Sequence, residues 1–292
     1  MTCSLIILYH SITWRSMRTL IGILVFLSLG LSTASATSVV AVRDDDEIVI
    51  GADSKTTLTR TGGDADGPES IAKCKIVQTG NLFFASAGFA GIGPAGPSGD
   101  VDPEFDLKET IAEGLLGSGG IAGKVGNLER VLVADLTRIA EEARRDNASF
   151  FLKRFVRHPV HTFIVGGLDN GELVLMVRTF RLLISPSGSL SFEIGRFACP
   201  GDCRTSFITI FEGQTEAIRN YLQDHELFLH FADPVTAVRD LVGLEISKDP
   251  SSAGPPIDIL RLTKKGAEWV QRKPLCPDIQ KTSSLPEGET GQ

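Results

Sequence analysis

The residue with the clearest chemical potential in this chain is Thr37, because cleavage of the bond before it would leave it with a free α-amine. A threonine hydroxyl is a poor nucleophile at neutral pH until a base takes its proton. An N-terminal threonine brings that base with it, as an α-amine whose pKa is about 7.7 to 8. Processing at this bond would therefore create a candidate nucleophile for attack on a carbonyl group.

The sequence before Thr37 has the three parts of a secretory signal peptide in the usual order. Arg18 follows Met17 in a positively charged segment, 20–31 is an apolar run, and Ala-Ser-Ala at 34–36 supplies a small-residue cleavage site. The apolar run is too short to span a bilayer comfortably. We expect removal of the leader and export to the periplasm or the extracellular space. An uncleaved anchor is the alternative, and the small residues argue against it.

The length of the chain predicts one domain after the leader. A leader of residues 1–36, with Met17 as an alternative start, leaves residues 37–292. These divide into one domain, 37–273, and a polar tail, 274–292, which is expected to be disordered.

The whole chain has 29 basic and 36 acidic residues and a net charge of −7. This charge argues against a nucleic acid or an anionic membrane surface as partner. Whether the chain forms a homo-oligomer stays open.

Four cysteines remain after the predicted cleavage, and they allow three disulfide pairings between which the sequence does not choose. They are Cys74, Cys199, Cys203 and Cys276. A zinc site at Cys199-x-x-x-Cys203 would need two more ligands at suitable spacing. A disulfide or two unpaired thiols is favoured there, and His158-x-x-His161 is interpreted as a connection between a helix and a strand. We expect no metal and no cofactor.

The periodicity of apolar residues predicts a mixed α+β fold. Spacing of three and four residues predicts helices over 128–143, 215–223 and 235–245, the last with Asp233 as N-cap. Strands are predicted at 38–43, 47–52, 74–79, 82–87, 162–167, 172–177, 180–184 and 257–262. Gly-rich or polar stretches predict loops at 56–70, 92–103 and 114–126. This order favours stacked antiparallel sheets with helices outside over alternating βαβ units.

Two sequence blocks resemble proteasome β-type subunits and related bacterial protease subunits, which are N-terminal nucleophile hydrolases. Residues 37–43 and 48–54 resemble the family's opening, in which a threonine begins the mature chain and an aspartate lies sixteen positions later, as Asp53 does here. Residues 73–77 and 83–91 resemble its catalytic-lysine strand and its Ala-Gly oxyanion turn. The resemblance implies a four-layer αββα sandwich of two antiparallel sheets flanked by helices.

The resemblance also implies roles for individual residues. Lys75 matches the catalytic lysine, since two apolar residues follow it, whereas Lys73 lies on the same face of the strand. Its charge would lower the pKa of the Thr37 hydroxyl and amine, and Asp53 would hold its ammonium. The Gly88 backbone N–H would face the oxyanion.

Two further positions depart from the family pattern. Asp249 matches the family's late aspartate, but Ser-Ala-Gly at 252–254 stands where the family has Ser-Gly-Gly. The family's auxiliary serine has no match, since Cys-Pro-Gly-Asp at 199–202 takes its place.

These matches imply a threonine-type endopeptidase that hydrolyses peptide bonds through Thr37. Two alternatives stay open: an amidase or acylase of the same superfamily that acts on small amides, and a catalytically inactive scaffold subunit. A simpler interpretation is that Thr37 is only the first residue after a signal peptide. Ala36, rather than the family's usual glycine, precedes Thr37. We therefore expect signal-peptide cleavage to replace self-processing.

Overall fold

The computed structural model describes residues 37–58, 69–72, 74–79, 82–89, 91–92, 105–116, 119–156, 159–203, 205, 207–229, 233–274 and 276. All of these residues fall within one compact unit. The predicted leader and its cleavage site, Lys73, His158 and most of the predicted tail lie outside the described residues.

The β-branched residues after Thr37 form the centre of the first of two five-stranded antiparallel sheets. Its spatial order is β12-β1-β2-β13-β14, and its strands are β1 (Ser38–Arg43), β2 (Glu47–Ala52), β12 (Ile208–Gly213), β13 (Asp258–Thr263) and β14 (Gly266–Gln271). Every residue of β1 and β2 is buried. Because alternate side chains of a strand point to opposite faces, this pattern means that both faces of the central strands are covered. The predicted hairpin of β1 and β2 is confirmed.

The second sheet has the spatial order β11-β10-β9-β6-β5 and is also antiparallel throughout. Its strands are β5 (Ile76–Thr79), β6 (Leu82–Gly88), β9 (His161–Asp169), β10 (Glu172–Ile184) and β11 (Leu190–Cys199). The predicted turn between β9 and β10 is confirmed, with Asn170 and Gly171 at positive φ, 52° and 83°. The two strands predicted over 172–184 form one continuous strand, β10.

Two short ribbons flank the stretches whose structure is not described. Strand β3 (Lys55–Leu58) pairs with β4 (Glu69–Ala72), and β7 (Gly91–Ile92) pairs with β8 (Phe105–Asp106). The prediction of a loop over 56–70 was therefore wrong at both ends of that segment. The polar residues of this segment suggested a loop. However, Thr56 and Thr57 are β-branched, which favours a strand, and they continue the strand that begins at Lys55.

Five helices lie in the described part of the chain. They are α1 (Leu107–Leu116), α2 (Ile121–Asp146), α3 (Ala148–Phe151), α4 (Glu216–Leu229) and α5 (Pro234–Lys248), and a π-helical turn (Leu152–Val156) follows α3. The stretch 114–126, predicted as a loop with weak helical character, is helical over 114–116 and 121–126, because α1 ends at Leu116 and α2 begins at Ile121. Its glycines 123 and 126 face open space, while Ile121, Val125 and Leu128 are buried at helical spacing. At α5, the predicted cap is confirmed, since Asp233 accepts a hydrogen bond from Thr236 N (2.9 Å).

Three clusters of buried apolar residues hold these elements together. One contains residues of both sheets, including Ile50 and Phe83. The second combines the second sheet with α1, α2 and the π-helical turn, and the third combines the first sheet with α4 and α5. The chain is thus a mixed α+β protein with two five-stranded antiparallel sheets. In the part that is described, no helix is both long enough and apolar enough to cross a bilayer.

Disulfides join Cys74 to Cys276 and Cys199 to Cys203, which resolves the three pairings that the sequence left open. The first connects positions 202 residues apart, whereas the second closes a short loop at the end of β11. Of the predicted tail, Pro274 and Cys276 belong to the described residues, and Cys276 is buried.

Candidate functional site

Asp53 lies just after β2 and is completely buried. Its carboxylate accepts four hydrogen bonds. Oδ1 accepts from Ser38 N (2.9 Å) and Lys75 Nζ (2.6 Å), and Oδ2 accepts from Lys55 N (2.9 Å) and Gly254 N (3.1 Å). A buried carboxylate is stable as an anion only when it is paired and hydrogen-bonded, and these contacts meet that requirement. Asp53 therefore fixes the start of β1 relative to three other segments.

Lys75 immediately precedes β5 and is 7% exposed. Its ammonium binds Asp53 and the carbonyl oxygen of Lys55. Burial lowers the pKa of Lys75 from 10.5 to about 8, because the cost of desolvating the ammonium exceeds the attraction of Asp53. The positive charge of Lys273 contributes further to this lowering. The structure thus joins two of the predicted site residues in a buried ion pair.

Thr37 directly precedes β1 and is 8% exposed. Its carbonyl oxygen accepts a hydrogen bond from Gln214 N (2.7 Å) at the end of β12. Gly213, which precedes Gln214, has φ 88°, and a Cβ atom at Gly213 would collide with the Thr37 carbonyl oxygen. Since the amide of the next residue, Ser38, is bound by Asp53, the Thr37 backbone is held from both sides.

Gly88 ends β6 at φ 103°, and a Cβ atom at this position would lie 2.6 Å from the carbonyl oxygen of Val160. The next residue, Phe89, donates its N–H to the same oxygen (2.8 Å). The turn also lies close to the backbone of Thr37. Thr37 and Ala87, the residue before Gly88, both lie next to the position that a Cβ atom of Gly213 would take. The predicted oxyanion turn is thus next to the start of β1, and Gly88 itself is exposed.

His161 fixes this turn from the neighbouring strand, where it is paired with Gly88. Its Nδ1 lies 2.8 Å from the carbonyl oxygen of Phe89, so Nδ1 carries the proton and donates it. Burial lowers the pKa of His161 to about 3, which keeps the ring neutral at physiological pH. Its Nε2 is buried and makes no hydrogen bond to the described residues. His161 is thus a structural residue of the turn.

Asp249 follows α5 and belongs to a polar network that reaches Thr37 through Gln214. Gln214 Nε2 lies 3.3 Å from Asp249 Oδ2, and Ser252 Oγ lies 2.7 Å from Gln214 Oε1 and also contacts Asp249. Hydrogen bonds from Ser251 and Ser252 lower the pKa of Asp249 to about 2, so its carboxylate is charged. Gln214 could not be identified from the sequence, because the strand that places it, β12, was not predicted.

A second buried ion pair lies beside the first. Lys273 Nζ is 2.8 Å from Asp258 Oδ2 and 3.3 Å from the carbonyl oxygen of Asp53, and Lys273 N donates to Asp258 Oδ1 (2.8 Å). The two residues are 4% and 0% exposed. Neither Lys273 nor Asp258 was predicted from the sequence. The feature that could have pointed to Lys273 is the nearby Cys276, because its disulfide partner Cys74 is adjacent to Lys75.

The structure therefore brings Thr37, Asp53 and Lys75 into one hydrogen-bonded region, with Gly88 and Asp249 at its edges. The segment of Cys199 and Asp202, which stands where the auxiliary serine was sought, forms its own disulfide-closed turn. Among the described residues, no three histidine, cysteine or acidic side chains are grouped as metal ligands would be.

Comparison with models of protein families finds none that matches this chain. Comparison with curated proteins likewise finds no relative. The function of the chain is therefore inferred from the geometry of the described residues and from the sequence blocks at 37–54 and 73–91.

Proposed function

We propose that the protein is a threonine-type peptidase that hydrolyses peptide bonds through Thr37 once the leader has been removed. The observation that supports it most is the buried pair of Asp53 and Lys75, whose shared carboxylate oxygen also binds the amide next to Thr37. A buried ion pair costs desolvation energy, and a buried group with a shifted pKa, such as Lys75, is common at functional sites.

In the proposed reaction, the α-amine of Thr37 takes the proton of the Thr37 hydroxyl while Oγ bonds to the carbonyl carbon of the substrate. The Lys75 ammonium stabilises the alkoxide, and the Gly88 N–H donates to the developing oxyanion. The proton passes from the α-amine to the leaving amine, and the C–N bond breaks to leave an ester on Thr37. Water then attacks the ester carbon and gives a proton to the α-amine. As the bond between that carbon and Oγ breaks, the α-ammonium returns this proton to Oγ, which releases the acid product and regenerates the free threonine.

The fold proposed for this site is a four-layer αββα sandwich of the N-terminal nucleophile hydrolase type. Support comes from the apolar clusters, one of which draws residues from both sheets while the other two each combine one sheet with helices. In such an arrangement, Thr37 begins a strand of one sheet and the Gly88 turn ends a strand of the other. The resemblance to proteasome β-type subunits supports the same assignment.

We further propose that the protein is exported and that signal-peptide cleavage between Ala36 and Thr37 activates it. The two disulfides support an oxidising compartment, since disulfides persist there and are rare in the cytosol. Cleavage at this bond would supply the α-amine that the mechanism requires. The enzyme would then stay inactive until it had crossed the membrane.

The first test is the N-terminal sequence and intact mass of the protein recovered from a secreting host. A chain that begins at Thr37 is then treated with a biotinylated peptide epoxyketone, which can bond to both the hydroxyl and the amine of an N-terminal threonine. We expect labelling of the wild type and of Thr37→Ser, and none of Thr37→Ala. A chain that begins elsewhere, or labelling that survives Thr37→Ala, would contradict the proposal.

Substrate panels separate the proposed activity from its alternatives. Turnover of fluorogenic peptides by the labelled protein supports the peptidase, whereas turnover of small amides alone points to an amidase or acylase. A chain that begins at Thr37 and yet neither reacts with the probe nor turns over either class would be a scaffold. Size-exclusion chromatography of the same sample shows whether it is a monomer or a homo-oligomeric ring.

A further inference from the structure

Two buried lysines lie on chain segments that a disulfide connects. Lys75 is adjacent to Cys74, Lys273 lies three residues before Cys276, and Cys74 is bonded to Cys276. The two segments are separated by about two hundred residues in sequence, so only the folded chain brings them together. A disulfide restricts how far its two flanking segments can separate, and it therefore keeps the two ammonium groups in one region.

Asp53 is the residue on which both lysines converge. Lys75 Nζ binds its carboxylate (2.6 Å), and Lys273 Nζ lies 3.3 Å from its carbonyl oxygen. Lys273 has a carboxylate partner of its own, Asp258 (2.8 Å). The cluster thus holds two cations and two anions, all buried, so charge is balanced within it.

We propose that Lys273, held by Asp258 and tied to the Lys75 segment by the Cys74–Cys276 disulfide, is a positioning residue that places a second positive charge beside Lys75. This inference rests on the proposed function, in which Lys75 supports the nucleophile. Lys273 contributes through Lys75 and Asp53 and does not contact the substrate.

The pKa of Lys75 depends on the charged groups that face its ammonium. Among the residues that the structure describes, these are Asp53, which favours its ammonium form, and Lys273, which disfavours it, while Asp258 pairs with Lys273 and partly offsets its charge. Charge interactions are screened little in a buried site. Loss of the Lys273 charge should therefore raise the pKa of Lys75. The Lys75 ammonium would then persist to higher pH, and its proton would exchange less readily near neutral pH.

The test is an NMR titration of Lys75 in protein that carries ¹³C at the lysine ε-carbons, with the Lys75 signal assigned by its loss in Lys75→Arg. In Lys273→Met we expect the titration midpoint of Lys75 to shift upward. Lys273→Arg keeps the cation and should leave the midpoint near the wild-type value. Lys265→Met, which removes the same charge from the exposed turn between β13 and β14, is the matched control and should cause no shift.

Lys273→Gln covers the case in which Lys273→Met does not fold, because its amide can still donate to Asp258 and to the Asp53 carbonyl. It removes the charge and should also shift the Lys75 midpoint upward. A wild-type midpoint in a folded Lys273→Met or Lys273→Gln protein would overturn the proposal. So would an upward shift in Lys273→Arg equal to that in Lys273→Met, since the effect would then come from packing and not from charge.

A second readout links this effect to the reaction. If the Lys75 ammonium supports acylation of Thr37, the rate of epoxyketone labelling falls as pH rises through the pKa of Lys75. The alkaline limb of that rate should therefore move to higher pH in Lys273→Met and stay in place in Lys265→Met. If wild-type Thr37 is not labelled at all, the proposed function fails, while the NMR titration still decides whether Lys273 acts on Lys75.

Discussion

Lys75 and Ser38 donate to the same oxygen of Asp53, at 2.6 and 2.9 Å. One is a side-chain ammonium, and the other is the backbone amide that follows Thr37. Any displacement of the Asp53 carboxylate therefore moves the candidate nucleophile and the candidate lysine together. This shared contact makes Asp53 the residue on which the relative geometry of the proposed site depends.

Asp53→Asn should destabilise the protein and impair acylation of Thr37. The substitution nearly preserves the shape of the side chain but leaves the buried Lys75 ammonium without its anionic partner. Removal of one member of a buried pair typically costs about 3–5 kcal/mol. Urea unfolding measures this loss, and epoxyketone labelling of the folded fraction measures the reaction. Asp45→Asn, at an exposed turn, is the control and should change neither quantity. An Asp53→Asn protein that labels at the wild-type rate would refute the role assigned to Asp53.

Gly88→Ala should slow acylation, because the new Cβ atom would lie 2.6 Å from the Val160 carbonyl oxygen and push the turn away. Gly119→Ala is a close control. Gly119 has nearly the same positive φ, 102°, but nothing lies within 4 Å of its Cβ position. Both variants carry the backbone strain, of order 1–3 kcal/mol, but only Gly88→Ala should lower the labelling rate, on the order of 10²-fold if the oxyanion donor is lost. Equal rates in the two variants would remove Gly88 from the mechanism.

Loss of the Cys74–Cys276 disulfide should destabilise the protein more than loss of Cys199–Cys203. The first bond closes a loop of about two hundred residues and the second a loop of a few, and a longer loop restricts the unfolded chain more. We expect the paired Cys74→Ser and Cys276→Ser substitutions to cost roughly 2–5 kcal/mol. Denaturant midpoints of the two double variants provide the comparison. Equal midpoints would mean that the long-range bond contributes no more than the local one.

His161 should make the protein sensitive to acid. Its pKa is about 3 in the folded protein and 6.5 as the ordinary value, so the unfolded chain binds more protons between these values. Its contribution is therefore complete above about pH 6.5 and is lost as pH falls toward 3, at about 1.4 kcal/mol per pKa unit. His161→Gln keeps an amide donor for Phe89 and cannot titrate. Its unfolding free energy should vary less with pH between 3 and 6.5 than that of the wild type, and an unchanged slope would contradict this assignment.

The parts of the fold that the sequence predicted are those governed by local rules. The continuous run of apolar, mostly β-branched residues in β1, the Asn170-Gly171 turn and the Asp233 cap each follow from a preference of a few neighbouring residues. Strand β11 was missed although Leu190, Phe192 and Ile194 alternate with more polar residues, which is the signal of a half-buried strand. Strand β12 was missed as well; all of its residues are only partly buried, and no regular alternation marks it. Because β12 was not predicted, Gln214, which directly follows that strand, was not recognised as part of the site.

The candidate site was only partly accessible from sequence for a similar reason. The positions of Thr37, Asp53 and Lys75 could be matched within one short stretch of chain. Two further partners of Asp53, Gly254 and Lys273, come from segments about two hundred residues away. Contacts of that kind depend on how the two sheets and the last strands are arranged, and composition or periodicity does not specify them.

This long-range construction has a consequence for the order of events during synthesis. Thr37, Asp53 and Lys75 are made first, but Asp53 acquires its bond from Gly254 only after most of the chain has been translated, and Cys74 must wait for Cys276. Contacts between distant segments form slowly, since the intervening chain must first be brought together. The site is therefore completed among the last features of the folding protein. A chain released early, or cut before its final strands, would carry the candidate nucleophile without the residues that arrange it.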